Sequence, residues 1–126
     1  MASICKLLVI DDDRDVADSL AMLMESLDAE VRIAYDGASG VRAAAEFSPD
    51  IAFIDIRMPD MDGYETARLM RAELGDRAPM IVALTGLSAS DHPEKCVEAG
   101  FDLELAKPVS SAAIEKLLRS APRARA

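Results

Sequence analysis

Short apolar runs alternate along the chain with stretches of helical period. The runs are Ile4–Ile10, Val31–Ala34, Ile51–Ile54, Met80–Leu84 and Leu103–Ala106. They are rich in Ile, Val and Leu and only a few residues long, which predicts buried strands. Between them, Val16, Leu20, Leu23, Met24 and Leu27 recur at helical spacing and predict an amphipathic helix. Ala38, Val41, Ala44 and Ala45 predict a second, Ala67, Met70 and Leu74 a third, and Ile114, Leu117 and Leu118 the last. The segment Ser88–Ala99 has a weaker stripe, Cys96, Val97 and Ala99, and is read as a helix because the alternation requires one. Gly37 and Gly75 read as turn residues, and Gly100 as the C-cap of the fourth helix.

This alternation predicts an α/β fold of (βα)5 type, a parallel sheet with right-handed crossovers and helices on both faces. A closed barrel would need eight units and about twice this length. An open, doubly wound five-stranded sheet remains. In such sheets ligands bind beyond the carboxyl ends of the strands, near the point where strand order reverses. The residues following each strand are therefore where chemistry is to be sought. Asp11, Asp12 and Asp13 follow the first strand, Asp55 the third, Thr85 and Gly86 the fourth, and Lys107 the fifth. The second strand offers only Tyr35 and Asp36, at the sheet edge.

Clustered carboxylates repel one another and call for a cation. With no His or Cys cluster available, all-oxygen ligation points to Mg²⁺, with Mn²⁺ as a substitute. A lysine and a threonine opposite the metal would add a positive charge and a hydroxyl donor. Such a set can neutralise a phosphoryl group in transfer, and one aspartate could be the nucleophile that forms an acyl phosphate. Taken singly, each residue has an ordinary reading. Asp13 fits a helix N-cap as well as a ligand, a lysine before proline is commonly surface charge, and a threonine at a strand end commonly makes a turn bond. Their joint occurrence at every relevant strand end favours a site.

Composition narrows the partners. The 126 residues hold 14 Lys and Arg against 23 Asp and Glu, a net charge of −9. That disfavours direct binding to nucleic acid or anionic lipid. The 51% hydrophobic and 29% charged content fits one soluble globular domain rather than a disordered chain. Cys5 and Cys96 are far apart and in no metal spacing, which fits a reducing compartment. A single histidine, His92, excludes a site of two imidazoles. No stretch approaches the ~20 apolar residues of a membrane span. The first apolar run holds Lys6 and ends in aspartates, unlike a signal peptide. The expectation is a cytoplasmic domain over residues 1–121 without membrane insertion, followed by a short basic tail, 122–126, expected to be disordered.

The segments Val9–Asp13, Ile54–Gly63, Ala83–Gly86 and Ala106–Pro108 resemble the receiver domain of two-component response regulators, over residues 4 to about 120. The block Asp55-x-x-Met58-Pro59-x-x-Asp62-Gly63 is the most specific part. Thr85 and Lys107 follow Asp55 at intervals of 30 and 52 residues, as in the chemotaxis receiver. The resemblance implies the flavodoxin-like strand order 2-1-3-4-5. It implies that Asp55 accepts a phosphoryl group from a histidine kinase or a histidine phosphotransfer protein. Asp12, Asp55 and the backbone carbonyl of Arg57 would hold Mg²⁺, with Asp11 acting largely through a water. Thr85, Gly86 and Lys107 would contact the phosphoryl group, and the Lys107–Pro108 peptide would be cis. Such a domain is a phosphoacceptor rather than an enzyme. It would signal through protein contacts with a downstream partner, an attached domain or a second copy in a phosphorylation-dependent homodimer. The kinase docking surface is expected on the first helix, around Arg14, Asp15 and Asp18.

Other motifs fare less well. Asp11-x-Asp13-x-Asp15 starts like an EF-hand loop, but Val16 stands where glycine is needed and Met22 where glutamate is. Asp11 and Asp13 also resemble the acids of haloacid-dehalogenase-like, Mg-dependent phosphatases. Asp15 does not fit that family and the Asp55 block would be unexplained, yet this is the alternative function. A flavin phosphate would be repelled by three aspartates. A Cys96–His92 catalytic pair is opposed by Pro93, which marks a helix start.

The chain also departs from the receiver pattern. Many receivers carry an aromatic residue or histidine three positions before the lysine; here it is Glu104. Phe101, the nearest aromatic, is expected to pack at the end of the fourth helix. Glu104 is expected to face solvent in both states, with activation read from the loop Gly86–Ser90 and the adjoining helix. A Lys95–Glu104 pair there would be too weak to drive a switch. Arg57 and Leu87 are expected at the mouth of the site. Ala99–Asp102 and Lys107–Val109 resemble receivers attached to hybrid kinases, so a stand-alone protein and a fragment of a larger one both fit.

Overall fold

The computed structural model describes residues 4–86 and 93–120. Strands and helices alternate as β1 (Lys6–Ile10), α1 (Arg14–Ser26), β2 (Glu30–Ala34), α2 (Gly37–Phe47), β3 (Ile51–Asp55), α3 (Gly63–Leu74), β4 (Met80–Thr85), α4 (Pro93–Ala99), β5 (Leu103–Ala106) and α5 (Ser111–Ser120), with a 3₁₀ turn at Gly75–Arg77. All strand pairs are parallel, in the order β2-β1-β3-β4-β5.

Because successive strand residues point to opposite faces, the sheet divides the core in two. Leu8, Ile10, Ala52, Ile54, Ile81 and Ala83 meet residues of α2, α3 and α4. Leu7, Val9, Phe53, Val82 and Leu84 meet Ala17, Leu20 and Met24 of α1 and Ile114, Leu117 and Leu118 of α5. Three central strands are buried on both faces, which is why their sequences do not alternate.

The edges correct the reading of five buried strands. β2 alternates between exposed and covered positions, and β5 is mostly exposed, with Leu103 and Glu104 both open. Each edge strand has only one neighbour and incomplete helix cover. The stripe on α2 is also shifted. Ala38 and Ala45 are exposed, whereas Gly37, Gly40, Val41, Ala43, Ala44 and Phe47 are buried. Small residues gave the periodicity too little contrast to fix the face. Gly37 is the first residue of α2 rather than a turn; Asp36 caps the helix by accepting from the Ser39 N–H at 2.8 Å. Val97 on α4 is exposed while Cys96 and Ala99 are buried. Gly75 and Gly100 cap α3 and α4 with positive φ of 53° and 99°.

Residues 87–92, with Leu87 and His92, and the tail 121–126 lie outside the described residues. Among the described residues no helix is long and apolar enough to cross a membrane.

Arg71 joins α3 to the start of β5. Its Nε and Nη2 donate to the Gly100 carbonyl at 3.0 and 2.7 Å, and Nη2 reaches the Asp102 carboxylate at 2.8 Å. Asp102 in turn accepts from the Ile81 N–H at 2.8 Å. The ion pair is partly exposed and worth about 0–1 kcal/mol, but the forked bonds to a carbonyl add to it. Arg71→Ala is therefore expected to lower stability by about 1–2 kcal/mol, with Arg71→Lys intermediate because one ammonium cannot reproduce the fork. Urea denaturation measures both.

Candidate phosphoacceptor site

Strand register assembles the rim. Ile10 pairs with Ile54, so Asp11 and Asp55 emerge side by side. Asp55 pairs with Leu84 and Thr85 with Ala106, which sets Thr85 and Lys107 one step further along the same edge. The Lys107 N–H donates to the Thr85 carbonyl at 2.8 Å, fixing the root of the lysine. The following Lys107–Pro108 peptide is cis.

Lys107 Nζ lies 2.9 Å from Asp11 Oδ2 and 3.1 Å from Asp55 Oδ1. Asp11 is wholly buried and Asp55 nearly so. The other Asp11 oxygen accepts from the Asp13 N–H at 3.0 Å. Carboxylate oxygens of Asp11, Asp12 and Asp55 all lie within 4.8 Å of one another, with Asp12 exposed to solvent. Burial, then the neighbouring Asp11 charge, pushes the Asp55 carboxyl up to about 6, against the lowering effect of Lys107 and the Arg57 backbone N–H. Burial alone would lower Lys107, but its bonds and charge attraction to Asp11 and Asp55 prevail and hold it above the usual lysine range. A single ammonium thus shares two buried carboxylates, and an all-oxygen pocket with excess negative charge suits a hard divalent cation. Mg²⁺ fits this donor set.

Other residues named from the sequence fall in different places. Asp13 caps α1, accepting from the Val16 N–H at 3.3 Å, and its side chain is not in the acid cluster. Asp62 caps α3 through the Glu65 N–H at 2.9 Å. Thr85 is buried and its Oγ1 turns toward the Leu105 carbonyl at 3.4 Å, across β5 rather than into the acids. Gly86 is exposed, with open space where a Cβ would stand. The Arg57 backbone N–H faces Asp55, and its side chain is exposed. Glu104 is exposed, and Lys95 sits 5.9 Å from the Tyr64 ring instead of bridging to it. Phe101 is buried and meets Tyr64 edge to face.

Two features escaped sequence reasoning. Gly63 touches the backbone of Asp55 itself: a Cβ there would lie 2.5 Å from the Asp55 carbonyl oxygen and 2.6 Å from Ile56 Cα. Tyr35, which the sequence left idle at the edge, donates to Asp18 at 2.7 Å while the Arg14 guanidinium stacks 4.0 Å above its ring. Arg14 and Asp18, four apart on the preceding helix α1, together with a tyrosine at the end of β2 were the available signal. Beside the rim, Val16, Leu20, Leu23, Leu84, Pro108 and Val109 line an open groove of about 530 Å³ that ends at Lys107.

Comparison with known proteins bears on this geometry. The family described as the response regulator receiver domain matches residues 7–119. The transcriptional regulatory protein LiaR of Bacillus subtilis is 38% identical over 118 residues, 92% of this chain and 55% of that protein. PrrA of Mycobacterium tuberculosis is 40% identical over 103 residues, 82% of this chain and 43% of that protein. The chain thus spans about half the length of these curated relatives. Among solved structures, the receiver domain of sensor histidine kinase PA1611 from Pseudomonas aeruginosa, with magnesium coordinated in its active-site cleft, is 32% identical. It superposes with a TM-score of 0.81 over 94% of this chain and 97% of that one. The chemotaxis protein CheY4 of Vibrio cholerae shares the fold, with a TM-score of 0.86 at 22% identity over 95% of this chain and all of that one.

Proposed function

The chain belongs to the response regulator receiver domain family, and from that premise we propose that Asp55 is its phosphoacceptor, with Mg²⁺ held by Asp12, Asp55 and the Arg57 carbonyl and with Asp11 assisting through a water. The observation that carries this reading is the pairing of one ammonium, Lys107, with two buried carboxylates on a rim where three acids converge. Asp55 Oδ1 is engaged by Lys107, which leaves Oδ2 to attack phosphorus. A new Oδ–P bond forms as the P–N bond to the donor imidazole breaks, and the bond electrons leave with the imidazole. When bound, Mg²⁺ supplies charge neutralisation between the carboxylates and the incoming phosphoryl oxygens. Lys107 can follow the phosphoryl group from Asp55, while Asp11 retains the Asp13 N–H. The Thr85 hydroxyl and the Gly86 N–H are further donors on the rim, and Thr85 must rotate away from Leu105 to serve.

The donor is a histidine kinase or phosphotransfer protein. The groove beside Lys107 suits the apolar face of a donor helix, and the Arg14–Tyr35–Asp18 cluster offers fixed polar contacts at the end of β2. The domain takes up one phosphoryl group and signals by changed contacts with a downstream protein, an attached domain or a second copy. It is not a turnover enzyme, and its place is the cytoplasm. The phosphatase alternative built on Asp11 and Asp13 loses its second acid, because Asp13 is committed to capping α1.

Acetyl phosphate with Mg²⁺ is expected to add a single phosphoryl group at Asp55, read by mass spectrometry of the intact chain and its peptides. Chelation of the metal should suppress the label. Label on Asp11 or Asp13, or repeated turnover of an aryl phosphate that depends on Asp11, would overturn the assignment.

A further inference from the structure

Glu104 stands exposed on the edge strand β5. Its carboxylate accepts a hydrogen bond from the Cys96 thiol of α4, and giving up that partner to turn inward would carry the cost of burying an unpaired carboxylate. α3 offers a different path from the site. Its first residue, Gly63, has no side chain to cushion its contact with the Asp55 carbonyl and Ile56 Cα, and its N–H donates to the Ile56 carbonyl at 2.9 Å. Movement of the acceptor backbone therefore reaches the start of α3 directly.

The next residue, Tyr64, is half-buried. Its ring meets Phe101 edge to face, with centroids 6.3 Å apart at 79°, and the Lys95 ammonium of α4 lies 5.9 Å from the ring. Burial, then Cys96, Glu104 and Asp62, hold the Tyr64 phenol above its usual range, which places the hydroxyl among groups of α4 and β5. Two turns further on, Arg71 grips the Gly100 carbonyl and Asp102, at the junction of α4 and β5. α3 is thus seated on the site at one end and clamped to the end of α4 at the other. Beside the ring a crevice of about 320 Å³, lined by Asp62, Tyr64, Arg68, Lys95 and Glu98, leaves room for Tyr64 to turn.

We propose that the state of Asp55 passes to α4 through Tyr64 on α3, and that the contact of Glu104 with Cys96 is not needed for it. This rests on the receiver reading given above. Coupling of this kind requires that both ends bias the same packed contact, and the Tyr64–Phe101 contact is that element.

Amide NMR of the full chain with Mg²⁺ and beryllofluoride, a phosphoryl mimic, tests it. In the wild type, shifts are expected at Asp11, Asp12, Asp55 and Lys107 and also along Glu94–Ala99. Tyr64→Phe and Glu104→Ala should retain both sets. Tyr64→Ala should retain the site shifts and lose most of those along α4. If Tyr64→Ala disturbs α4 before any addition, Tyr64→Leu, which keeps apolar bulk without the ring edge, should show the same loss. Full α4 shifts in these ring-deleted variants, or their loss in Glu104→Ala, would overturn the proposal. So would site shifts without α4 shifts in the wild type. Absence of any shift at the site would instead overturn the receiver reading itself.

Discussion

Asp55→Asn is expected to abolish phosphoryl uptake and, in metal-free protein at neutral pH, to raise stability. The first effect follows from loss of the carboxylate proposed as the nucleophile; an amide oxygen does not form an acyl phosphate. The second follows from the environment of the carboxyl. Burial and Asp11 raise it from 3.8 in its ordinary state to about 6 in the fold. A proton is therefore bound more tightly in the folded than in the unfolded chain. The associated stabilisation is complete below pH 3.8 and is lost as pH rises through about 6. At 1.36 kcal/mol per unit, the wild type forfeits about 2–3 kcal/mol by pH 7. Asparagine is nearly isosteric and carries no charge, so the variant escapes this loss, and Lys107 remains paired with Asp11. Urea denaturation across pH 4–8 should show the two proteins converging at the acid end and the variant ahead at the neutral end. Saturating Mg²⁺ should narrow the gap, because the cation favours the ionised acid. A gap that persists at pH 4, or one that widens with Mg²⁺, would contradict this account.

Gly63→Ala should damage fold and site together. The added methyl would stand 2.5 Å from the Asp55 carbonyl oxygen and 2.6 Å from Ile56 Cα, both backbone atoms that cannot swing aside. Alanine would gain helix propensity of up to about 1 kcal/mol, but overpacking of this kind costs about 1–3 kcal/mol and can cost more. The net result is a less stable chain with α3 pushed off β3. Since the displaced carbonyl belongs to Asp55, the carboxylate should also leave its 3.1 Å contact with Lys107, and beryllofluoride binding should weaken with it. Gly86→Ala is the control on the same rim: no heavy atom lies within 4 Å of its added Cβ, so stability should change little. Thermal denaturation and calorimetric titration of both variants provide the comparison. Near-wild-type binding in Gly63→Ala would show that the helix start can yield without moving the acceptor.

The central strands and the residues that follow them were legible because both depend on local order in the chain. Runs such as Leu7–Ile10 and Ile51–Ile54 are apolar on both faces only in a sheet covered on both sides, and Asp11, Asp55, Thr85 and Lys107 follow directly from where such strands end. The N-cap role of Asp13 was readable for the same reason, since the bond spans only three residues. The edge strands were misjudged because Val31–Ala34 and Leu103–Ala106 look alike in composition to the central runs; what exposes them is a missing neighbour. The α2 face was misjudged because alanine has little side chain to distinguish a buried position from an open one.

What the sequence by itself determined is the order of elements, the strand ends that bear chemistry, and the identity of the charges available there. Only the tertiary structure decided the distances: that Lys107 spans Asp11 and Asp55, that Thr85 turns to Leu105, that Gly63 rests on the Asp55 backbone, and that Tyr64 packs against Phe101 just past the end of α4. The physical reason is range. Hydrophobic period and capping act within a few residues along the chain, whereas Coulomb attraction and steric contact act between atoms that are neighbours in space and, for Lys107 and Asp11, 96 residues apart in sequence.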